Sequence, residues 1–253
     1  MIFSMRLHPF YQTNGGASGI KRGGGGGQAV ASGDMVRGVP QSQIDQLRGT
    51  RDHQPDFSMT WETVRDDYAR VGIAITEQEA RDIALAVNHY TYQHDTKMRK
   101  AWNLEQAGRV HDLTPELQKE LADYKLIAEY CKVAPVLPSS KYSTVYRGIK
   151  NSTITPQYSQ AIYALKVGDS WNVDGMPTSF STEKNVARGF AGYNGIIMHM
   201  PTKGMKNTPS MKGFSVFPGE NEVFVTDYNW KVARISDQRQ NGDGFYHIYL
   251  DKP

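Results

Sequence analysis

Two glutamates one residue apart, Glu220 and Glu222, stand where a turn gives way to a strand. Pro218-Gly219 forms the turn, and Val223 to Tyr228 reads as β. Period-two alternation puts both carboxylates on the same side at the beginning of that strand. Like charges at this spacing repel, and a fold tolerates them more readily when a cationic ligand or substrate sits between them. The plainer alternative is a solvated pair at a loop tip.

A second candidate is Arg147, in the run Ser143-Thr-Val-Tyr-Arg-Gly-Ile149. Alternation places Val145, Arg147 and Ile149 on one face, with Tyr146 and Gly148 on the other. A guanidinium turned inward is costly unless paired, and its planar fork suits a phosphate or carboxylate. The competing reading is a structural ion pair or an edge-strand arginine facing water. A third candidate lies in Thr178-Ser-Phe-Ser-Thr-Glu183, where a β-prone stretch meets a helix start and Ala187 and Phe190 follow at helical spacing. Ser181 and Thr182 could bind a ligand there or simply cap the helix.

The elements that must position these residues fall into two halves. From about Met59 to Lys132 the pattern is helical. Trp61, Val64, Tyr68 and Val71 mark a first helix. Thr76 and Glu79 form a capping box for a second, which carries Ile83, Val87 and Tyr90 and is expected to run towards Lys100. Thr114-Pro115 opens a third, with Leu117, Leu121, Tyr124, Ala128 and Cys131 on one stripe. After Ser139 come short β-rich runs ending in 195–200, 221–228, 230–235 and 244–250. Helices followed by strands, without β-α alternation, predict an α+β fold and argue against a doubly wound nucleotide-binding sheet.

Tyr146-Arg147-Gly148, Phe180-Ser-Thr-Glu183 with Phe190, and Phe217-Pro-Gly-Glu-Asn-Glu-Val223 occur in an order and spacing that resembles the Arg-Ser-Glu mono-ADP-ribosyltransferases. This family includes bacterial toxins, phage effectors and vertebrate ecto-enzymes. The resemblance covers roughly residues 60 to 250, since the helices before Tyr146, including 90–103, look like the helical subdomain that precedes the core in that family. One departure is Glu183, which stands where the family's Ser-Thr-Ser motif has its last serine.

The resemblance implies an N-terminal helical subdomain followed by a two-sheet, β-rich core with an NAD cleft between the sheets. It implies NAD as substrate and no metal. Glu222 would stabilise the oxocarbenium-like ribose formed as nicotinamide departs and hold a ribose hydroxyl. Ser181 would orient that glutamate, with Thr182 beside it at the cofactor. Arg147 would grip the phosphates, Gly148 would offer its backbone to the nicotinamide amide, and Phe190 would stack on the ring. Glu220 would engage the acceptor, and a carboxylate there resembles the arginine-modifying members. An NAD glycohydrolase on the same fold, with water as acceptor, is the alternative.

Bulk properties narrow the setting. With 39% hydrophobic and 22% charged residues among 253, the chain has the composition of a globular protein. Residues 1–53 hold six Lys and Arg against three Asp and Glu, a surplus equal to the whole formal charge of +3. No basic cluster follows, so nucleic acid is not expected as a partner. Asn14 to Asp34 is glycine-rich, and Gly27 is followed by Gln28 and Ala29 rather than the Lys-Ser/Thr of a phosphate-binding loop. Residues 1–55 are read as a flexible segment and 56–253 as the catalytic domain, helical over 56–138 and β-rich over 139–253. The single cysteine, Cys131, excludes an intramolecular disulfide and multi-cysteine zinc sites, and the seven histidines, His89 and His94 among them, lack metal-ligand spacing. No apolar run reaches membrane-spanning length and no signal-peptide core opens the chain. The expectation is a monomer that does not engage membranes, a secreted effector or toxin or a phage protein, modifying a host or target-cell protein in the cytoplasm.

Overall fold

The computed structural model describes residues 35–53, 60–151, 156–171, 177–226 and 230–252, so the glycine-rich stretch lies outside the described residues. A two-stranded hairpin, β1 (Met35–Val36) and β2 (Val39–Pro40), leads into α1 (Gln41–Leu47). Four longer helices follow: α2 (Trp61–Arg70), α3 (Glu77–His89), α4 (Asp95–Gln106) and α5 (Pro115–Val133). The second half holds β3 (Thr144–Ile149), α6 (Pro156–Tyr163), β4 (Ser170–Trp171), β5 (Thr178–Ser181), α7 (Lys184–Ala191), β6 (Ile196–Pro201), β7 (Glu222–Val225), β8 (Trp230–Asp237) and β9 (Tyr246–Asp251). This is the expected α+β order.

The helices form where their apolar spacing and caps place them. Thr76 and Glu79 make the reciprocal capping box of α3, and Thr114 accepts from the Leu117 N–H at the start of α5. The expected second helix is two: one wide π turn, Tyr90–His94, separates α3 from α4. That turn re-phases the helix so that Tyr90 and Met98 are both buried. On α5 the buried arc is wider than the expected stripe and includes Ile127 and Tyr130, while Ala128 is only half-buried.

Residues 35–53 are packed. Val36 and Ile44 belong to the same apolar cluster as Val64, Tyr68 and Ile83. Asp67 on α2, fully buried, pairs with Arg51 and accepts from the Tyr130 hydroxyl at 2.7 Å. Packing thus begins ahead of the boundary expected at residue 55.

The main sheet has seven strands in the order β4-β8-β9-β6-β3-β5-β7, antiparallel except for the β6–β9 pair. Along one edge β3 pairs with β6 through all six residues, Thr144 to Ile149. Along the other it pairs with β5 only at Tyr146 and Ser181. The two β layers expected from the resemblance are joined into one hydrogen-bonded sheet by a single pair, a pinch between β3 and β5. Helix α7 lies against β3 at very close range: a Cβ on Gly148 would sit 1.9 Å from the Ala187 carbonyl oxygen. Gly148→Ala is expected to push α7 off the sheet and to destabilise the chain by about 1–3 kcal/mol, read from the midpoint of denaturant unfolding.

Candidate active site

The three sequence motifs meet at the pinch in the sheet. Tyr146 on β3 is opposite Ser181 on β5, and Ser181 is opposite Glu222 on β7, so these residues form one row across three strands. A cleft opens beside the row. Arg147, Gly148, Ser181, Phe190, Glu220 and Glu222, six of the seven residues singled out from the sequence, line it.

Thr182 is not in the lining. Its N–H donates to the Asn221 carbonyl at 3.2 Å, which ties the end of β5 to the glutamate turn. Its Oγ1 is buried with no hydrogen-bond partner among the described residues.

Arg147 faces inward with Val145 and Ile149, as alternation predicts, and is only 7% exposed. Because β3 and β5 share one pair, the guanidinium reaches into the gap between them, and Nη1 donates to the Ser179 carbonyl at 2.6 Å. Its Nε is buried with no partner among the described residues. A buried arginine with a spare donor at a cleft fits an anionic ligand.

The glutamates sit differently from the expectation that both belong to one strand. Glu220 ends a short 3₁₀ turn, Pro218–Glu220, Asn221 is left-handed with φ 47°, and the strand begins at Glu222. Asparagine tolerates that conformation better than most residues. The left-handed residue breaks the alternation, yet both carboxylates still line the same cleft. Glu222 is buried, at 5% exposure, and Glu220 is half-buried. Burial raises the Glu220 carboxyl above its ordinary value of 4.5.

Ser181 joins two of the motifs. Its Oγ donates to the Glu220 carbonyl at 2.7 Å and accepts from the Glu183 N–H at 3.0 Å. Glu183 is the N-cap residue of α7, so Ser181 precedes the helix rather than capping it directly. Tyr146, Ser179, Phe180 and Ala187 also line the cleft and were not singled out. Tyr146 was accessible to sequence reasoning, since it shares a strand face with Gly148. Ser179 and Phe180 come from β5 across the pinch and Ala187 from α7 packed on Gly148, contacts that no local pattern announces. Among the described residues, no group of three or more His, Cys, Asp or Glu could hold a metal ion, and no helix is long and apolar enough to cross a membrane.

The helical layer beside a mixed sheet is the fold of solved mono-ADP-ribosyltransferase structures. No protein-family model matches the sequence, and comparison with curated proteins gives no match. Solved structures do match. The ADP-ribosyltransferase Vis of Vibrio splendidus, in complex with the M6 inhibitor, superposes with a TM-score of 0.51 at 15% identity, over 79% of this chain and 89% of that one. Vis in complex with agmatine gives 0.50 at 15% identity, over 70% of this chain and 76% of that one.

Ser181→Ala removes the donor to the Glu220 carbonyl and the acceptor for the Glu183 N–H. A loss of about 1–3 kcal/mol is expected by chemical denaturation, since two partly buried groups lose a partner together.

Proposed function

We propose that this chain is an NAD-dependent mono-ADP-ribosyltransferase that transfers ADP-ribose to an arginine side chain, with release of nicotinamide. The observation that carries the reading is the meeting of Arg147, Ser181 and Glu222, from three distant segments, at one cleft. The spare buried Nε of Arg147, at the edge of that cleft, supports an anionic ligand there.

In this reading Arg147 grips the diphosphate, Phe190 stacks on the nicotinamide, the Gly148 backbone meets its amide, and Thr182, outside the lining, holds the end of β5 against the glutamate turn. Breaking the bond between ribose C1′ and the nicotinamide nitrogen sends the bonding pair to nicotinamide, which leaves neutral, and positive charge develops on the ribose. The buried Glu222 carboxylate stabilises that charge and holds a ribose hydroxyl. A guanidinium nitrogen of the acceptor then attacks C1′ and gives up its proton to Glu220. The raised affinity of Glu220 for a proton suits a general base. The agmatine complex of Vis supports an arginine acceptor, because agmatine carries the same guanidino group. The acceptor is a protein of a host or target cell, where the chain acts as a toxin or effector.

Glu222→Gln is expected to lower both transfer and NAD hydrolysis by on the order of 10²–10³-fold or more. Glu220→Gln should lose transfer to arginine or agmatine and keep residual hydrolysis. Labelled NAD with free arginine, agmatine and cell lysates as acceptors measures both. Nicotinamide release with no labelled acceptor in any of them would instead mark a glycohydrolase.

The acid limb of transfer follows from Glu220. A base must be ionised, so transfer rises as pH increases through the elevated Glu220 pKa, and half-maximal activity lies above the ordinary carboxylate value of 4.5. NAD hydrolysis by Glu220→Gln lacks that limb. An acid limb identical in the wild type and this variant would remove Glu220 from the role.

A further inference from the structure

The strand that carries Glu222 is the last of the seven, yet its outer edge is paired. Segment 207–211 runs along it. The Met211 N–H donates to the Glu222 carbonyl at 2.9 Å, the Phe224 N–H to Pro209 at 3.1 Å, and the Thr226 N–H to Asn207 at 3.3 Å. Single bridges continue outward from Val223 to Ser210, from Pro209 to Val136, and from Val136 to Thr50. The sheet thus extends, one pair at a time, from the catalytic strand into residues 48–53.

Side chains fasten the same contact. Arg48 Nη1 donates to Asn207 Oδ1 at 2.7 Å, and Ser210 Oγ lies 2.6 Å from His53 Nδ1. Burial, followed by the charge of Lys212, lowers the His53 pKa to about 4. The ring is therefore neutral at working pH, with Nδ1 able to accept the Ser210 hydroxyl proton, while Ser210 Oγ accepts from the Lys212 N–H at 3.4 Å. The pair is not a nucleophile and its base, because Ser210 is 5% and His53 9% exposed and neither lines the cleft.

We propose that His53 and Ser210 are positioning residues: their hydrogen bond holds the segment that backs β7 and thereby sets where the Glu222 carboxylate stands. This rests on the function proposed above. Glu222 is the first residue of a four-residue strand, so its carbonyl bond to Met211 lies at the point where the strand direction is set. A carboxylate that must meet a developing charge loses much of its effect when displaced by an ångström.

The test compares Ser210→Ala, His53→Ala, His53→Asn and His53→Gln in the full chain. In Ser210→Ala and His53→Ala, kcat for NAD cleavage is expected to fall roughly tenfold with KM for NAD unchanged. His53→Asn, whose amide reaches the position of Nδ1, recovers most of the loss, and His53→Gln does not. Independently of activity, amide hydrogen exchange at Met211 and Phe224 should be faster in Ser210→Ala than in wild type. Wild-type kcat together with unchanged exchange in the alanine variants would overturn the proposal, as would equal recovery by Asn and Gln. A wild-type chain that cleaves no NAD overturns the function proposed above, and accelerated exchange in Ser210→Ala then still supports the mechanical coupling.

Discussion

Strand β3 is satisfied along its whole length on one edge and by a single residue on the other, and this asymmetry governs the rest of the site. Had β3 and β5 paired throughout, the gap that admits Arg147 would be closed and the guanidinium would have no inward position. Because they meet only at Tyr146 and Ser181, the Ser179 carbonyl takes its hydrogen bond from an arginine side chain. One backbone pair thus aligns the row from Tyr146 to Glu222, and the absence of the next pair opens the cleft beside it.

Holding a sheet open between β3 and β5 requires supports on either side. Helix α7 supplies one by lying so close to β3 and β6 that neither Gly148 nor Gly195 has room for a Cβ. The helical layer supplies another. The hydroxyls of Tyr90 and Tyr124 both donate to the Pro177 carbonyl, at 3.1 and 3.3 Å, just before β5 begins. Strand β7 is shared between the two cores: Phe224 packs in the helical cluster, while Val223 and Val225 belong to the sheet cluster. A strand fixed by both layers is a stiff mount for a carboxylate.

Much of this was legible in the sequence wherever the signal is local. The capping box of Thr76 and Glu79, the Thr114-Pro115 helix start, the alternation that turns Arg147 inward and the β-rich second half all rest on contacts within a few residues. The features that were missed depend on distant partners. The π turn at Tyr90–His94 brings Tyr90 to Pro177, far along the chain, and no periodicity in 77–106 signals it. Residues 35–53 read as a tail because their glycine-rich neighbour dominates the composition, yet Arg51 and Ile44 find their partners on α2 and in the helical core. Family resemblance brought the three motifs together, but could not show that the two sheet layers are joined at one pair.

The two glutamates show how a small backbone irregularity separates two chemical environments. Continued alternation through Asn221 would have placed Glu220 and Glu222 side by side on one strand face, as two similar groups. The left-handed Asn221 instead leaves Glu220 on a turn, half-buried, with its proton affinity raised by burial, and makes Glu222 the first residue of a strand held on both edges. Ser181 keeps the two in register by binding the Glu220 carbonyl while its backbone pairs with Glu222. A carboxylate that answers a developing charge benefits from a fixed position, whereas one that takes a proton benefits from a raised pKa. In the proposed reaction, one residue with positive φ between them lets the same short segment provide both.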